Sequence, residues 1–371
     1  MAVLLIDGES LFSPPVTYCL AAARRTVYVG STSRFPDVRF SRFARKFRWW
    51  NDESQLLDDL IRYARGQRVD VIMACSDPGI RFLSRFRREL EMSAPVGGTS
   101  SVDSLDIAAD KARFAQFLSE VQLPHPETVA LQAGEPLPHR LPGFPALLKP
   151  ARGSGGELIA RFDERAVFEH FAANGGLGTR CWILQTYVEG RDIDCSVMCR
   201  DGKILAYTVQ QAVRAPAVSF QPIGAVEFVK DDEVLELARR LVAALQWTGI
   251  AHIDMLKSQR DGRVYVSEVN GRYWSSLIGS YLAGVNFPEL ACLDALGQPF
   301  HRPTQRYTRF VRGSIATALR EARNPAETTL SWRISDPGPL LACYARSCFQ
   351  RLRPTLQKSI ADRALAQSPR L

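Results

Sequence analysis

The chain has 371 residues, 46% of them hydrophobic and 23% charged, enough length for two or three packed units and the ordinary balance of a globular enzyme, which excludes disordered and fibrous classes. The net charge of +8 is uneven: residues 301–371 carry 13 Lys and Arg against 4 Asp and Glu, while residues 1–300 sum to −1. The basic character therefore belongs to the tail, and nucleic-acid binding by the whole protein is not expected.

The start, Met1 to Asp7, lacks a basic leader and meets an acid after a short apolar run, so it reads as a first strand rather than a signal peptide. No apolar run is long enough to span a bilayer, and a cytoplasmic location is expected. The eight cysteines have no Cys-x-x-Cys spacing and read as free thiols.

Strand and helix signals alternate through the first hundred residues: strand Val3–Ile6, helix Pro14–Ala23, strand Val27–Gly30, helix Asp52–Arg65, strand Val69–Cys75. That is the rhythm of parallel βαβ units. Without a Gly-x-Gly-x-x-Gly after the first strand, a nicotinamide site is not expected there. Asp7-Gly8-Glu9-Ser10 and Ser76-Asp77-Pro78 stand at strand ends, where open α/β sheets bind ligands and where turn chemistry is equally at home. Between them, Arg34, Arg39, Arg42, Arg45, Lys46 and Arg48 mix with Trp49-Trp50, a solvated or partner-facing surface before it is an anion site.

Asp103–Val121 reads as one amphipathic helix. Six prolines from Pro124 to Pro145 then break up a connector. A strand Phe144–Leu148 ends at Lys149, a Gly-rich loop follows through Gly156, and Glu157–Ala160 reads as the returning strand. Next come a helix Glu164–Ala173, a strand Cys181–Gln185, an Asp201-Gly202 hairpin joining Asp192–Cys199 to Lys203–Gln210, and a helix Asp231–Leu245. The tail from Pro337 to Gln367 mixes apolar and basic residues, and could dock on its own protein, an acidic partner or an anionic membrane.

Two acids and an amide, Asp254, Glu268 and Asn270, flank a turn at Asp261-Gly262. Hard oxygen ligands of this kind suit Mg²⁺ held together with substrate phosphates. Both acids are even-numbered, so in a regular hairpin they face each other only across an odd loop, which Arg260-Asp261-Gly262 supplies with Gly262 left-handed. Asp254 is then expected opposite Glu268 and His252 opposite Asn270 on one face, with Ile253, Met255, Tyr265 and Val269 on the other.

Lys149-Pro-Ala-Arg-Gly153-Ser154-Gly155-Gly156 places a lysine ahead of small residues whose amides can approach phosphate oxygens. It is not a Walker loop, in which the lysine follows the glycines. In this order the segments resemble the ATP-grasp superfamily, especially its carboxylate–amine ligases, from about Ala108 to Gly297.

The resemblance implies an α/β fold, α+β in its catalytic part. An open parallel domain (1–105) would precede a small subdomain with a glycine-rich lid (106–180), a large subdomain with the metal hairpin (181–300) and a basic extension (301–371). It implies that Lys111, Lys149 and the loop Gly153, Ser154, Gly155 and Gly156 contact phosphate. Gln185, Tyr187 and Val188 would form the adenine hinge, and Asp192 would hold the ribose. Asp254, Glu268 and Asn270 would hold two Mg²⁺ ions, or Mn²⁺, with Arg272 beside the transferred phosphate. Gln185 and Asp254 stand where many members have glutamate, and both replacements keep the needed oxygen.

The implied reaction joins a small carboxylate to an amine through an acyl phosphate, with Lys149 and Arg272 as the catalytic cations. Alternatives are an ATP-grasp kinase, a carboxylate–thiol ligase, or a basic surface-binding protein with non-catalytic nucleotide. A homodimer is the default assembly. His252 shares the metal face, where a structural role and assistance to the amine are both open.

Overall fold

The computed structural model describes residues 1–153, 158–213, 224–311 and 328–348. Ala2–Leu5 (β1), Ser13–Ala22 (α1), Thr26–Ser31 (β2), Ala44–Trp49 (β3), Leu56–Gln67 (α2) and Val71–Met73 (β4) form the first unit. Its sheet runs β3-β2-β1-β4 with all pairings parallel. Val3, Leu4, Leu5, Val71 and Ile72 are completely buried, the continuous apolar run of strands covered on both faces. The expected βαβ rhythm is present, and β3 adds an edge strand from the cationic stretch. After β4, Ser76 caps Asp77–Arg85 (α3) by accepting from the Gly79 N–H. Arg87–Glu91 (α4) follows.

The single helix expected over Asp103–Val121 is two, Val102–Ala109 (α5) and Lys111–Glu120 (α6). Asp110 between them is extended (φ −112°, ψ 107°), and its carboxylate accepts from the Ala112 and Arg113 N–H groups. Capping outweighs continuation there, because an acid at the N-cap satisfies two otherwise orphaned donors.

Thr128–Leu131 (β5), Ala146–Pro150 (β6), Ala160–Phe162 (β7) and Trp182–Thr186 (β8) form an antiparallel sheet ordered β5-β8-β6-β7, with Arg165–Ala173 (α7) packed on it. β5 lies inside the stretch read as a proline-broken connector. β8 belongs to this sheet, although it follows residue 180 in the chain. A separate core of Leu131, Leu148, Phe162, Phe168 and Leu184 holds the unit together.

Gly190–Arg200 (β9), Lys203–Ala212 (β10), Ala225–Phe228 (β11), Asp232–Ala244 (α8), Gly249–Ser258 (β12) and Val264–Asn270 (β13) follow, then Leu277–Leu282 (α9), Phe287–Ala295 (α10) and Thr308–Val311 (β14). The large sheet runs β13-β12-β9-β10-β11-β14 and is antiparallel throughout. Its core, including Trp247, Trp274, Phe287 and Phe310, is continuous with that of the first unit. Leu330–Ser335 (α11) and a helix over 337–348 (α12) complete the described residues. Among these, no helix is long and apolar enough to cross a membrane.

Candidate active site

The hairpin of β12 and β13 carries the acids. Asp254 lies opposite Glu268 and His252 opposite Asn270, as the sequence implies, but the route differs. Lys257 pairs with Val264 and the Ser258 N–H donates to Arg263 O at 2.9 Å, so the loop spans four residues, 259–262, with Gly262 at φ +72°. An even loop alone would put the acids on opposite faces. A register shift between Asp254 and Met255 makes Ser267 an extra residue and restores them to one face. Beyond the bulge Met255 meets Val266, so buried Val264 and Val266 fill the core, and Tyr265 opposes Leu256 rather than joining the Met255 side. The Val266 N–H, freed from the ladder, donates to Pro124 O at 2.9 Å.

The polar row extends across the sheet. Asp194 of β9 lies opposite Asp254 and accepts from Gln210 Nε2 of β10 at 3.0 Å. Ser276 Oγ donates to Gln210 Oε1 at 2.7 Å. His252 Nε2 sits 3.3 Å from Asp254 Oδ1 and 3.8 Å from Asp194 Oδ2. Its Nδ1 meets Ser196 Oγ at 2.9 Å, and its ring stacks on Trp274 with centroids 5.4 Å apart. The sequence reading named Asp192 and missed Asp194, although strand alternation puts residues two apart on the same face.

Burial, then the charges of Asp194 and Glu268, holds the Asp254 carboxyl well above the usual range, with Arg272 pulling the other way. Burial pushes Asp194 up to about 7, and burial also raises Asp192. Carboxylates crowded this closely lack positive charge.

Three cations from separate elements face the acids. Lys111, in the first turn of α6, donates from Nζ to Gly153 O at 2.7 Å and lies 3.4 Å from Glu268 Oε1. Lys149, at the end of β6, donates to Gln185 Oε1 at 2.8 Å. Burial, reinforced by the charge of Lys111, pulls its ammonium down to about 8 against the attraction of Glu268, Asp254 and Asp192. Arg272 donates from Nη2 to Asn270 Oδ1 at 2.8 Å, from Nη1 to Tyr273 O at 2.9 Å and from Nε to Asp77 Oδ2 at 3.1 Å. Its guanidinium lies over Phe12, 4.8 Å from the ring centroid. The loop after β1 and the first residue of α3 thus meet the end of the hairpin at Arg272.

Between the sheets opens a cleft lined by Lys111, Lys149, Gln185, Ser267 and Glu268, with Phe114, Leu118 and Ile183 on its apolar side. Gln185 is buried, and its Nε2 donates to Thr128 Oγ1 at 2.9 Å. The Tyr187 N–H donates to Pro145 O at 2.8 Å, and its ring lies 4.4 Å from the Arg161 guanidinium. Val188 and Asp192 are half-buried near the same end of β9. Ser154, Gly155 and Gly156 lie outside the described residues.

Residues 108–276 match the family model of the ATP-grasp domain. The chain carries an ATP-grasp domain. It is 28% identical over 216 residues to the carbamoyl phosphate synthase large chain of Thermomicrobium roseum, which is 55% of this chain and 20% of that one. To the same protein of Archaeoglobus fulgidus it is 26% identical over 198 residues, 50% and 18% of the two chains. The chain thus matches about a fifth of the length of these relatives.

The fold is shared with L-amino acid ligase from Bacillus licheniformis, at a TM-score of 0.60 and 17% identity over 82% of this chain and 75% of that one. It is shared also with N5-carboxyaminoimidazole synthetase from Staphylococcus aureus, at 0.63 and 14% over 84% and 81%.

ATP with Mg²⁺ is the cofactor pair of ATP-grasp domains, and the residues present fit it. Asp254 and Glu268 are hard oxygen donors side by side. Burial and then the neighbouring negative charges raise the Asp254 carboxyl, and a divalent cation would compensate that charge. Asn270 Oδ1 now accepts from Arg272, so a bound cation would compete with the guanidinium for that oxygen.

Proposed function

We propose that the chain is a Mg-ATP-dependent ligase that converts a substrate carboxylate to an acyl phosphate and joins it to an amine, releasing ADP and phosphate. One observation carries this reading: Lys111, Lys149 and Arg272, from α6, β6 and the end of β13, surround the paired acids Asp254 and Glu268, and Lys111, Lys149 and Glu268 line one cleft. Such a ring of opposed charges suits phosphoryl transfer, where catalysis is mostly positioning and electrostatic stabilisation.

Lys149 and Lys111 would grip the phosphates, together with the loop from Gly153. Mg²⁺ held by Asp254, Glu268 and Asn270 would neutralise the triphosphate. Arg272, fixed on three sides, would stabilise charge on the phosphoryl group as the carboxylate attacks it, and then on the tetrahedral oxyanion when the amine displaces phosphate. Gln185, Tyr187 and Val188 would hold the adenine and Asp192 the ribose. His252 touches both Asp194 and Asp254 and stacks on Trp274, a setting that favours orienting the acids over proton transfer to the amine.

Hydroxylamine trapping tests the reading. Full-length protein with Mg-ATP, a library of small carboxylates and hydroxylamine should give ATP-dependent hydroxamate with at least one acid. ADP release on hydroxylic acceptors without hydroxamate would indicate a kinase, and tight ATP binding without ADP release under every condition would contradict catalysis.

A further inference from the structure

The strand β3 breaks the rule that strands of a parallel sheet are covered on both faces. It is the sheet edge, and Arg45, Lys46, Arg48 and Trp49 on it are all exposed. Together with Arg34, Arg39 and Arg42 they make six exposed cations within residues 34–50. The one acid in that stretch, Asp37, is already paired with Arg346 of α12.

Several of these cations are stacked. Arg34 lies 5.5 and 5.3 Å from the ring centroids of Trp49 and Phe35, and Arg39 lies 5.0 and 4.9 Å from those of Phe35 and Phe47. A guanidinium held against an aromatic ring keeps N–H groups at its edge, the part that reads phosphate.

The C-terminal helix extends this surface. The buried Asp336 carboxylate accepts from Ser41 Oγ and from the Arg42 N–H at 3.0 Å. A Cβ at Gly338 would fall 1.9 Å from Phe40 O, so α12 starts in direct contact with the cationic stretch. The stretch exposes Phe35, Phe40 and Trp49, and α11 and α12, joined to it through Asp336, Gly338 and Arg346, carry Ile334, Leu341 and Tyr344, which are 75%, 65% and 53% exposed.

We propose that this face, formed by residues 34–49 and the helices α11 and α12, docks on an anionic phospholipid bilayer. Clustered arginines attract anionic headgroups, and aromatic side chains favour the interface. Ile334 and Leu341 favour lipid over nucleic acid, because aliphatic side chains gain from entering the acyl boundary and find no counterpart on a phosphate backbone. Phe35 is already in contact with the guanidinium groups of Arg34 and Arg39, which leaves less ring surface for a base to stack on. None of these residues lines the nucleotide cleft, so this inference stands or falls separately from the ligase reading.

Co-sedimentation of the full-length protein with vesicles is the test. Binding is expected to mixed phosphatidylcholine–phosphatidylglycerol vesicles and not to phosphatidylcholine alone, and should weaken as salt rises. Each cation near an anionic surface changes partitioning about fivefold, so Arg45→Glu/Lys46→Glu/Arg48→Glu should weaken it by at least about a hundredfold. Leu341→Ser/Tyr344→Ser, which leaves the charge unchanged, should also weaken it, with thermal melts of both variants matching wild type. Absence of wild-type binding to anionic vesicles at low salt would overturn the proposal. So would wild-type-like binding by the triple variant, or preference for a single-stranded oligonucleotide over vesicles with the Leu341/Tyr344 variant unimpaired.

Discussion

Replacing Arg272 by lysine keeps the charge and removes the geometry. The guanidinium makes three hydrogen bonds in different directions, to Asp77, Tyr273 O and Asn270, and lies flat over Phe12, with its side chain 15% exposed. An ammonium on a shorter reach cannot hold the three acceptors together, and each charge-assisted bond lost costs about 1.5–3 kcal/mol. Loss of a preorganised donor aimed at developing charge costs about 2.7–4 kcal/mol in the transition state. The expected result for Arg272→Lys is therefore a kcat lower by about a hundredfold or more, with KM for ATP moved only a few-fold.

Asp77→Asn keeps an acceptor but strips the charge from one anchor of three, and should cost up to about tenfold. The effects of the double variant should be less than additive, because both changes act on one guanidinium. The assay is steady-state ADP release coupled to hydroxamate formation, with thermal melting to confirm the fold. A lysine variant within a few-fold of wild-type kcat would refute the reasoning, as would an Asp77→Asn variant damaged as severely as Arg272→Lys.

Lys149, pulled down to about 8 by burial, should take up a proton when nucleotide binds near that pH, and ATP affinity should fall as pH rises through 8. Calorimetry in buffers of different ionisation enthalpy reads the uptake, which Lys149→Met should abolish. For folding the sign is opposite: the depressed folded value favours the native state fully only above 10.5 and is lost as pH falls through about 8. The melting temperature of wild type relative to Lys149→Met should therefore climb with pH across that window. Gly249→Ala forces a Cβ to 2.0 Å from Gly98 O at φ +94°, and should destabilise by about 2–4 kcal/mol. Chemical denaturation checks this, and an unchanged midpoint would mean that the Gly98–Gly249 contact yields easily.

Much of this was legible in the residues because apolar periodicity and turn chemistry agree with the fold. The βαβ rhythm, the Asp201-Gly202 hairpin and the pairing of Asp254 with Glu268 all stand in the structure. The hairpin pairing was reached by parity of the loop, which the structure replaces with a four-residue loop and a bulge at Ser267. A bulge leaves no pattern of its own in a sequence, so parity alone cannot find it. The strand β3 was hidden because an uncovered edge needs no apolar alternation. Asp110 was hidden inside a helical periodicity, although an acid followed by a helical run is also an N-cap. Asp194 was within reach, two residues beyond Asp192 on the same face.

The most direct test of the central claim is the Mg²⁺ dependence of ATP binding, measured by calorimetry on wild type and Glu268→Ala. Wild-type affinity should tighten as Mg²⁺ is added, and the variant should lose that tightening along with turnover, since Glu268 lies directly opposite Asp254 in the acid row. An Mg²⁺ response in Glu268→Ala equal to that of wild type, with substantial turnover retained, would contradict the assignment of the hairpin as the metal-nucleotide site.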